Sequence, residues 1–194
     1  MDSFRLSNVS TARKKEWVAE LNAGKKDFLI REIRKTDITF FSRKGFYART
    51  EAETMFYGTI ASQLSDGKTC CFMVESVRLL NEVVCAFCLK AHVVNGFKMI
   101  EISHLDREYS YDKLLSYLHY KHVGKTVCDE FAIPLAKYFC TELGAKSYFA
   151  VSPNIILAKH FASDLLVPMP KNKVIGLFDG FLQDESTIIM LGPE

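Results

Sequence analysis

The spacing of apolar and polar positions changes several times along this chain. In 10–22, Trp17, Val18 and Leu21 recur at helical spacing behind a Ser10-Thr11 start, which predicts a short helix ended by Gly24. Phe28-Leu29-Ile30-Arg31-Glu32-Ile33 predicts a strand. Asp37 reads as the cap of a helix running to about Tyr47. Met55, Phe56, Ile60 and Leu64 mark another helix over 51–64, before Asp66-Gly67 breaks the pattern. Residues 69–77 and 83–94 then read as strands on either side of a charged turn. Asn95-Gly96, between Val93-Val94 and Phe97-Lys98-Met99-Ile100, suits a two-residue hairpin with positive φ at both central residues. An antiparallel meander over about 69–105 follows from this reading. Tyr111, Leu114, Leu115 and Leu118 give 109–121 one apolar helical face. A further helix over 127–143 stops at Gly144, and 146–151 reads as a strand. Ser152-Pro153-Asn154 is a turn that opens a helix to about Leu165. Residues 174–178 and 187–191 read as a closing strand pair around an Asp179-Gly180 turn. This order predicts an α/β (α+β) architecture built on one sheet.

Composition narrows the class. The chain has 194 residues, 48% hydrophobic and 25% charged, which excludes a disordered or low-complexity protein. No run approaches the ~18 apolar residues of a membrane helix, and residues 1–10 lack a signal-like apolar stretch. A cytoplasmic protein of one domain is the expectation, with 1–65 as a helical front and 69–194 as the core.

Charge adds one asymmetry. The formal net charge is +2, yet residues 1–50 hold twelve Lys/Arg against six Asp/Glu. A basic front suits a phosphate-bearing partner such as nucleic acid, or an acidic protein. Glu16, Glu20, Asp27, Glu32 and Asp37 are interleaved with the basic residues, however, and favour ordinary solvated faces.

The six cysteines lie mostly in apolar runs, as expected of reduced core thiols. Cys85-x-x-Cys88 has a metal or redox spacing, but residues three apart on a strand face opposite sides. His119-x-x-His122 with Cys128 fits no closed zinc pattern, so no metal is expected. Gly124-Lys125-Thr126 is the tail of a P-loop, but His119 stands where the first glycine is needed. No Gly-x-Ser-x-Gly occurs.

Lys121-His122-Val123-Gly124-Lys125-Thr126 opening the helix that ends Glu142-Leu143-Gly144 is the most informative stretch. A helix start offers unpaired N–H groups and a positive dipole end, which suit a pyrophosphate. Gly124 lets the backbone approach such a ligand closely, and Lys121 and Lys125 add positive charge. With the preceding meander, and with Ser152-Pro153-Asn154 and Ala158-Lys159-His160-Phe161, this loop resembles that of the GNAT acyltransferase superfamily. The resemblance is clear over 72–166.

It implies a central mixed, mostly antiparallel sheet flanked by helices. Strand 97–105 would splay from 146–151 to leave a V-shaped slot for a thioester. It further implies transfer of an acyl group, acetyl in the first instance, from acyl-CoA to a primary amine on a small molecule or protein. Lys121, His122, Val123, Gly124, Lys125 and Thr126 would hold the coenzyme A pyrophosphate. Leu105 would line the pantetheine path, and Asn154 would contact the acyl-CoA arm. Glu101 is the first candidate for the base, with Asp106 and His104 behind it.

The departures are definite. Lys121 replaces the family's Arg/Gln, and Thr126 its second Gly/Ala. Pro134 falls inside the helix and should kink it. Phe161 stands where many members carry a tyrosine that protonates the leaving thiolate, leaving His160 and Tyr148 as candidate acids. A GNAT-like module that binds a ligand or protein without acyl transfer is the alternative.

Overall fold

The computed structural model describes residues 4–33, 37, 66–79, 82–107, 126–152, 159, 162, 164–178 and 188–192. Helices expected at 37–47, 51–64, 109–121 and 152–165 fall outside these residues apart from isolated positions. Lys121, His122, Val123, Gly124, Lys125, Asn154, His160 and Phe161 also lie outside them.

The described strands are β1 (Phe28–Glu32), β2 (Thr69–Ser76), β3 (Glu82–Val94), β4 (Phe97–Arg107), β5 (Ser147–Ser152), β6 (Val167–Pro168) and β7 (Ile188–Leu191). They form one sheet in the order β1-β2-β3-β4-β5-β7-β6. Every neighbouring pair is antiparallel except β4 and β5, which run parallel. The expected mixed, mostly antiparallel sheet is therefore present. The β3–β4 turn is the tight hairpin that Asn95-Gly96 predicts, with φ of 48° and 80°.

Parallel strands need a crossover, and here a helix supplies it. Its described part is helical at Thr126 and Val127, a π turn spans Cys128–Ala132, and α2 (Ile133–Leu143) completes it. Pro134 explains the π turn. Its ring has no N–H and would collide with the carbonyl of Glu130 in a regular turn. Widening the turn, so that the Ile133 N–H donates to the Cys128 carbonyl, absorbs the misfit. Gly144 then closes α2 in the left-handed conformation, φ 62°, and the Ala145 N–H donates back to the Cys140 carbonyl.

The sheet buries both faces. On one, Phe72, Val74, Phe87, Leu89, Ile100 and Tyr148 pack against Phe131, Leu135 and Phe139 of the crossover and against Trp17 of α1 (Thr11–Asn22). Trp17 stacks on Tyr138 at 5.4 Å and meets Phe139 edge-on at 5.1 Å. The Asn22 side chain then ties α1 to edge strand β1. It donates to the Ile30 carbonyl at 2.9 Å and accepts from the Ile30 N–H at 2.8 Å. On the opposite face Val94, Met99, Phe149, Phe178 and Ile189 form a smaller cluster.

The closing strand pair differs from expectation. Residues 174–178 were expected as a strand, but 174–177 complete helix α3 (Lys171–Leu177), and β7 pairs instead with β6. A short apolar run has no period that separates a strand from a buried helical turn. Tertiary contacts decide it here. The Asn95 side chain donates to the carbonyls of Gly176 and Leu177, at 3.2 and 2.6 Å, and caps the helix end. Phe178 packs on Phe149 at 5.1 Å.

Four of the basic residues in the front are ion-paired among the described residues. Arg13 pairs with Glu16 and Glu142, Lys14 with Glu32, Lys25 with Glu130, and Arg31 with Asp37 and Glu75. Among the described residues no helix is long and apolar enough to cross a membrane.

Candidate active site

The site is built around the one parallel pair. β4 and β5 are bonded from Met99–Ser147 to Ile102–Ala150, and there the ladder ends. β4 continues to Arg107 bonded only to β3, while Val151 and Ser152 continue bonded only to β7. Among the described residues the β4–β5 ladder therefore ends at Ile102 and Ala150, and the strands part there. This is the slot expected between the two strands.

A bulge shapes one wall. Between the pairs Cys88↔Ser103 and Ala86↔Asp106, β4 advances three residues while β3 advances two. The extra residue falls at His104–Leu105, so the backbone of Leu105 lies at the bulge beside the gap. A bulge bends its strand and interrupts the ladder locally, which widens the parting from β5.

The crossover helix aims at the same place. α2 ends at Gly144, and the Lys146 N–H then donates to the Lys98 carbonyl near the start of β4. At 1.5 Å per residue, residues 126–143 span about 27 Å, so Thr126 lies toward the far ends of β4 and β5. The carboxyl ends of diverging parallel strands are a common ligand position in sheets of this kind. Glu130 in this first stretch is paired with Lys25, which offsets a charge that would oppose an anion there.

Glu101 stands on the last turn of pairing before the gap, opposite Phe149 on one side and Lys90 on the other. Its carboxylate meets the imidazole of His92, Oε2 to Nε2 at 2.6 Å, and both side chains are 16% exposed. Phe149 contacts the His92 ring at 5.8 Å and carries Phe178 behind it. His92 also borders an open groove of about 550 Å³ with Phe4, Lys68, Lys90, Ala91 and Val93.

Tyr148 is placed differently. It pairs with Ile100, one position before Glu101 and Phe149, so it faces the opposite side of the sheet. Its ring is buried at 3% exposure, and its hydroxyl donates to the Leu165 carbonyl at 2.5 Å. Burial, helped by the nearby Cys140 and Cys128, pushes its phenol up to about 12. The structure thus brings Glu101 to the mouth of the gap and sets Tyr148 in the core. His92 was absent from the sequence-derived candidates. A signal for it existed: a hairpin turning at 95–96 puts 92 opposite 99 and 90 opposite 101, so His92 and Glu101 share a face.

Cys85 and Cys88 face opposite sides, as their spacing predicts. Cys85 lies in the main core, and Cys88 meets Cys71 across the strand pair. Among the described residues no group of three or more His, Cys, Asp or Glu is arranged to hold a metal.

No protein-family model and no curated protein matches the sequence. Solved structures do match the fold. The chain is similar to AtaTR bound with AcCoA, with a TM-score of 0.57 and 14% identity over 85% of this chain and 93% of that one. It is similar to apo FdhC, a nucleotide-linked sugar GNAT, with a TM-score of 0.53 and 9% identity over 86% of each chain. A spermidine N-acetyltransferase SpeG chimera from Vibrio cholerae and hSSAT matches with a TM-score of 0.52 and 13% identity, over 86% of this chain and 95% of that one. The chain has the GNAT fold.

Proposed function

We propose that this GNAT-fold chain is an N-acyltransferase that moves an acyl group, acetyl in the first instance, from acyl-CoA to a primary amine. The observation that carries the reading is the parting of β4 and β5 at Ile102 and Ala150, with the described end of the crossover helix, at Thr126, toward the same ends of the strands and Glu101 beside the parting. A flat, fully paired sheet would leave no room for a thioester between strands. The AcCoA held by AtaTR supports the donor, and the spermidine N-acetyltransferase activity named for the SpeG chimera supports an amine acceptor.

In this reading the backbone of 121–126 holds the pyrophosphate, with Gly124 at the closest approach and Lys121 and Lys125 adding charge. His122, Val123 and Thr126 complete that loop. Leu105 at the β4 bulge lines the pantetheine path, and Asn154 meets the same arm. An alkylamine is protonated at neutral pH and must lose a proton before it can attack the thioester carbonyl. Glu101 takes that proton. Of the two candidate acids for the leaving thiolate, the reading rests on His160 or water, because the Tyr148 hydroxyl already donates to Leu165.

Calorimetric titration with coenzyme A and acetyl-CoA tests the donor site, and thiol release with a panel of amines tests the reaction. Saturable binding and amine-dependent thiol release are expected. Gly124→Glu should abolish binding by placing bulk and negative charge against a phosphate, while the variant stays folded by circular dichroism. No saturable binding at millimolar ligand would overturn the reading. Binding without turnover for any amine would favour the non-enzymatic module.

A further inference from the structure

We propose that Cys71 and Cys88 form a modification site: a buried cross-strand dithiol that hydrogen peroxide closes into a reversible disulfide between β2 and β3. The inference is independent of acyl transfer and rests on strand register.

The two residues are direct partners in the antiparallel β2–β3 pair, and their sulfurs lie 2.8 Å apart. The backbone bonds identify the kind of pair they form. On the β1 side, the Cys71 carbonyl accepts from the Ile33 N–H at 2.7 Å. It is therefore turned away from β3. Three positions along the ladder, the Ala91 N–H donates to the Lys68 carbonyl at 2.8 Å. Bonded and non-bonded pairs alternate in an antiparallel ladder, so both facts make Cys71 and Cys88 a non-hydrogen-bonded pair. Such a pair brings its Cβ atoms to ~4.5 Å, within the ~3.5–4.5 Å of a disulfide, whereas a hydrogen-bonded pair stands about 1 Å wider. The neighbouring cysteines are not so placed. Cys70 and Cys85 lie on the opposite face, where Cys70 is level with Leu89 and Cys85 with Val74. Those rows are four positions apart, or about 13 Å along the strands.

Both side chains are fully buried, and this selects the oxidant. Hydrogen peroxide is little larger than water and enters through local opening of the sheet, where a bulky disulfide reagent does not. The chemistry balances in two steps. One thiol loses its proton, and its sulfur attacks a peroxide oxygen. The O–O bond breaks, a sulfenic acid forms, and the departing hydroxide takes the proton as water. The second sulfur then attacks the sulfenic sulfur. An S–S bond forms, the S–O bond breaks, and the hydroxyl leaves as water with the second thiol proton. The two sulfurs lose two electrons and the peroxide gains both. The position gives the bond a consequence. Cys88 is also level with Ser103 of β4, one residue beyond the end of the β4–β5 ladder and the last pair before the bulge. A bond at this row fastens β2 to the strand that backs the gap-lining part of β4. It also closes the segment 71–88 into a loop, which restricts the unfolded chain.

The test is a peptide map of the folded wild-type chain. Reduced protein is treated with hydrogen peroxide without denaturant, quenched in acid, alkylated after unfolding and digested with trypsin. Cleavage after Lys68, Arg78 and Lys90 puts Cys70 and Cys71 in peptide 69–78 and Cys85 and Cys88 in peptide 79–90. Mass spectrometry should find these two peptides joined, lighter by two hydrogens than their sum, with fragment ions assigning the bond to Cys71 and Cys88. Dithiothreitol should separate them. The link should be absent from Cys71→Ala and from Cys88→Ala, and the wild-type map decides even where such a variant does not fold. The urea midpoint of oxidised wild type should be no lower than that of the reduced protein. Absence of the link in folded, peroxide-treated protein would overturn the proposal, as would a link through Cys70 or Cys85, or one formed only in urea. A midpoint lowered by oxidation would overturn it too, because strands that must distort to make the bond are not placed for it.

Discussion

At the scale of single residues, Tyr148 and Gly192 explain one another. Gly192 donates its N–H to the Tyr148 carbonyl at 3.1 Å and lies beneath that residue's ring. A Cβ at position 192 would fall 2.1 Å from Cζ of Tyr148, far inside van der Waals contact. The ring cannot swing aside freely, because its hydroxyl is held by the Leu165 carbonyl and its faces are buried. Gly192→Ala should therefore destabilise the chain by about 2–3 kcal/mol, the range of an overpacked core. A urea melt reads this directly, and Tyr148→Ala in the same background should remove the clash and recover part of the loss. An unshifted midpoint in Gly192→Ala would mean that the Tyr148 ring is not anchored as described. The same packing accounts for Tyr148 standing apart from the gap. In the sequence Tyr148 is one aromatic in an alternating strand, and alternation alone does not reveal which face meets the gap.

At the scale of elements, what was legible followed from local physics. Asn95-Gly96 dictates its hairpin because few dipeptides tolerate two positive φ values, and Gly144 ends α2 for the same reason. The pairing of β4 with β5 was not legible from periodicity, since a strand carries no mark of its parallel neighbour. It was implied only by the family resemblance. The helix at Lys171–Leu177 was missed because Asn95, some eighty residues earlier, supplies its cap. The kink at Pro134 was legible, but its form was not: the chain widens a turn and keeps the helix continuous. That widening sets the rotation of everything before it. Pro134→Ala restores an N–H that can bond the Glu130 carbonyl, which should return the turn to α geometry and rotate 126–128 by about 100°. Stability should hold or rise, while coenzyme A affinity falls tenfold or more. Affinity equal to wild type would detach the π turn from the proposed pyrophosphate site.

At the scale of the whole molecule, burial sets how the fold responds to alkali. Among the described residues, Cys70, Cys140 and Tyr148 are the groups whose protons the folded state holds most strongly. Burial pushes the Cys70 thiol up to about 12, more strongly than the nearby Lys14 ammonium pulls it down. Burial alone lifts Cys140 to about 12, and burial with the neighbouring thiols lifts Tyr148 to about 12. In the unfolded chain the thiols ionise near ~8.5 and the phenol near ~10. Below ~8.5 both states keep these protons, and their contribution to stability is complete. Between ~8.5 and ~12 the unfolded chain releases protons that the folded chain retains, so unfolding becomes more favourable with each pH step. At pH 10 the two thiols together should cost on the order of 2–4 kcal/mol of folding stability relative to pH 7.5. Urea unfolding at both pH values, with reductant present, measures that difference. Replacing Cys70 and Cys140 by alanine should flatten the dependence without abolishing it, since Tyr148 remains. These groups lie on the face shared by β2, β5 and α2, opposite Glu101 and His92. Alkali should therefore loosen the packing behind the gap before it alters the carboxylate–imidazole contact. A midpoint that does not move between pH 7.5 and 10 would show that these three groups are more solvated than their placement in the core implies.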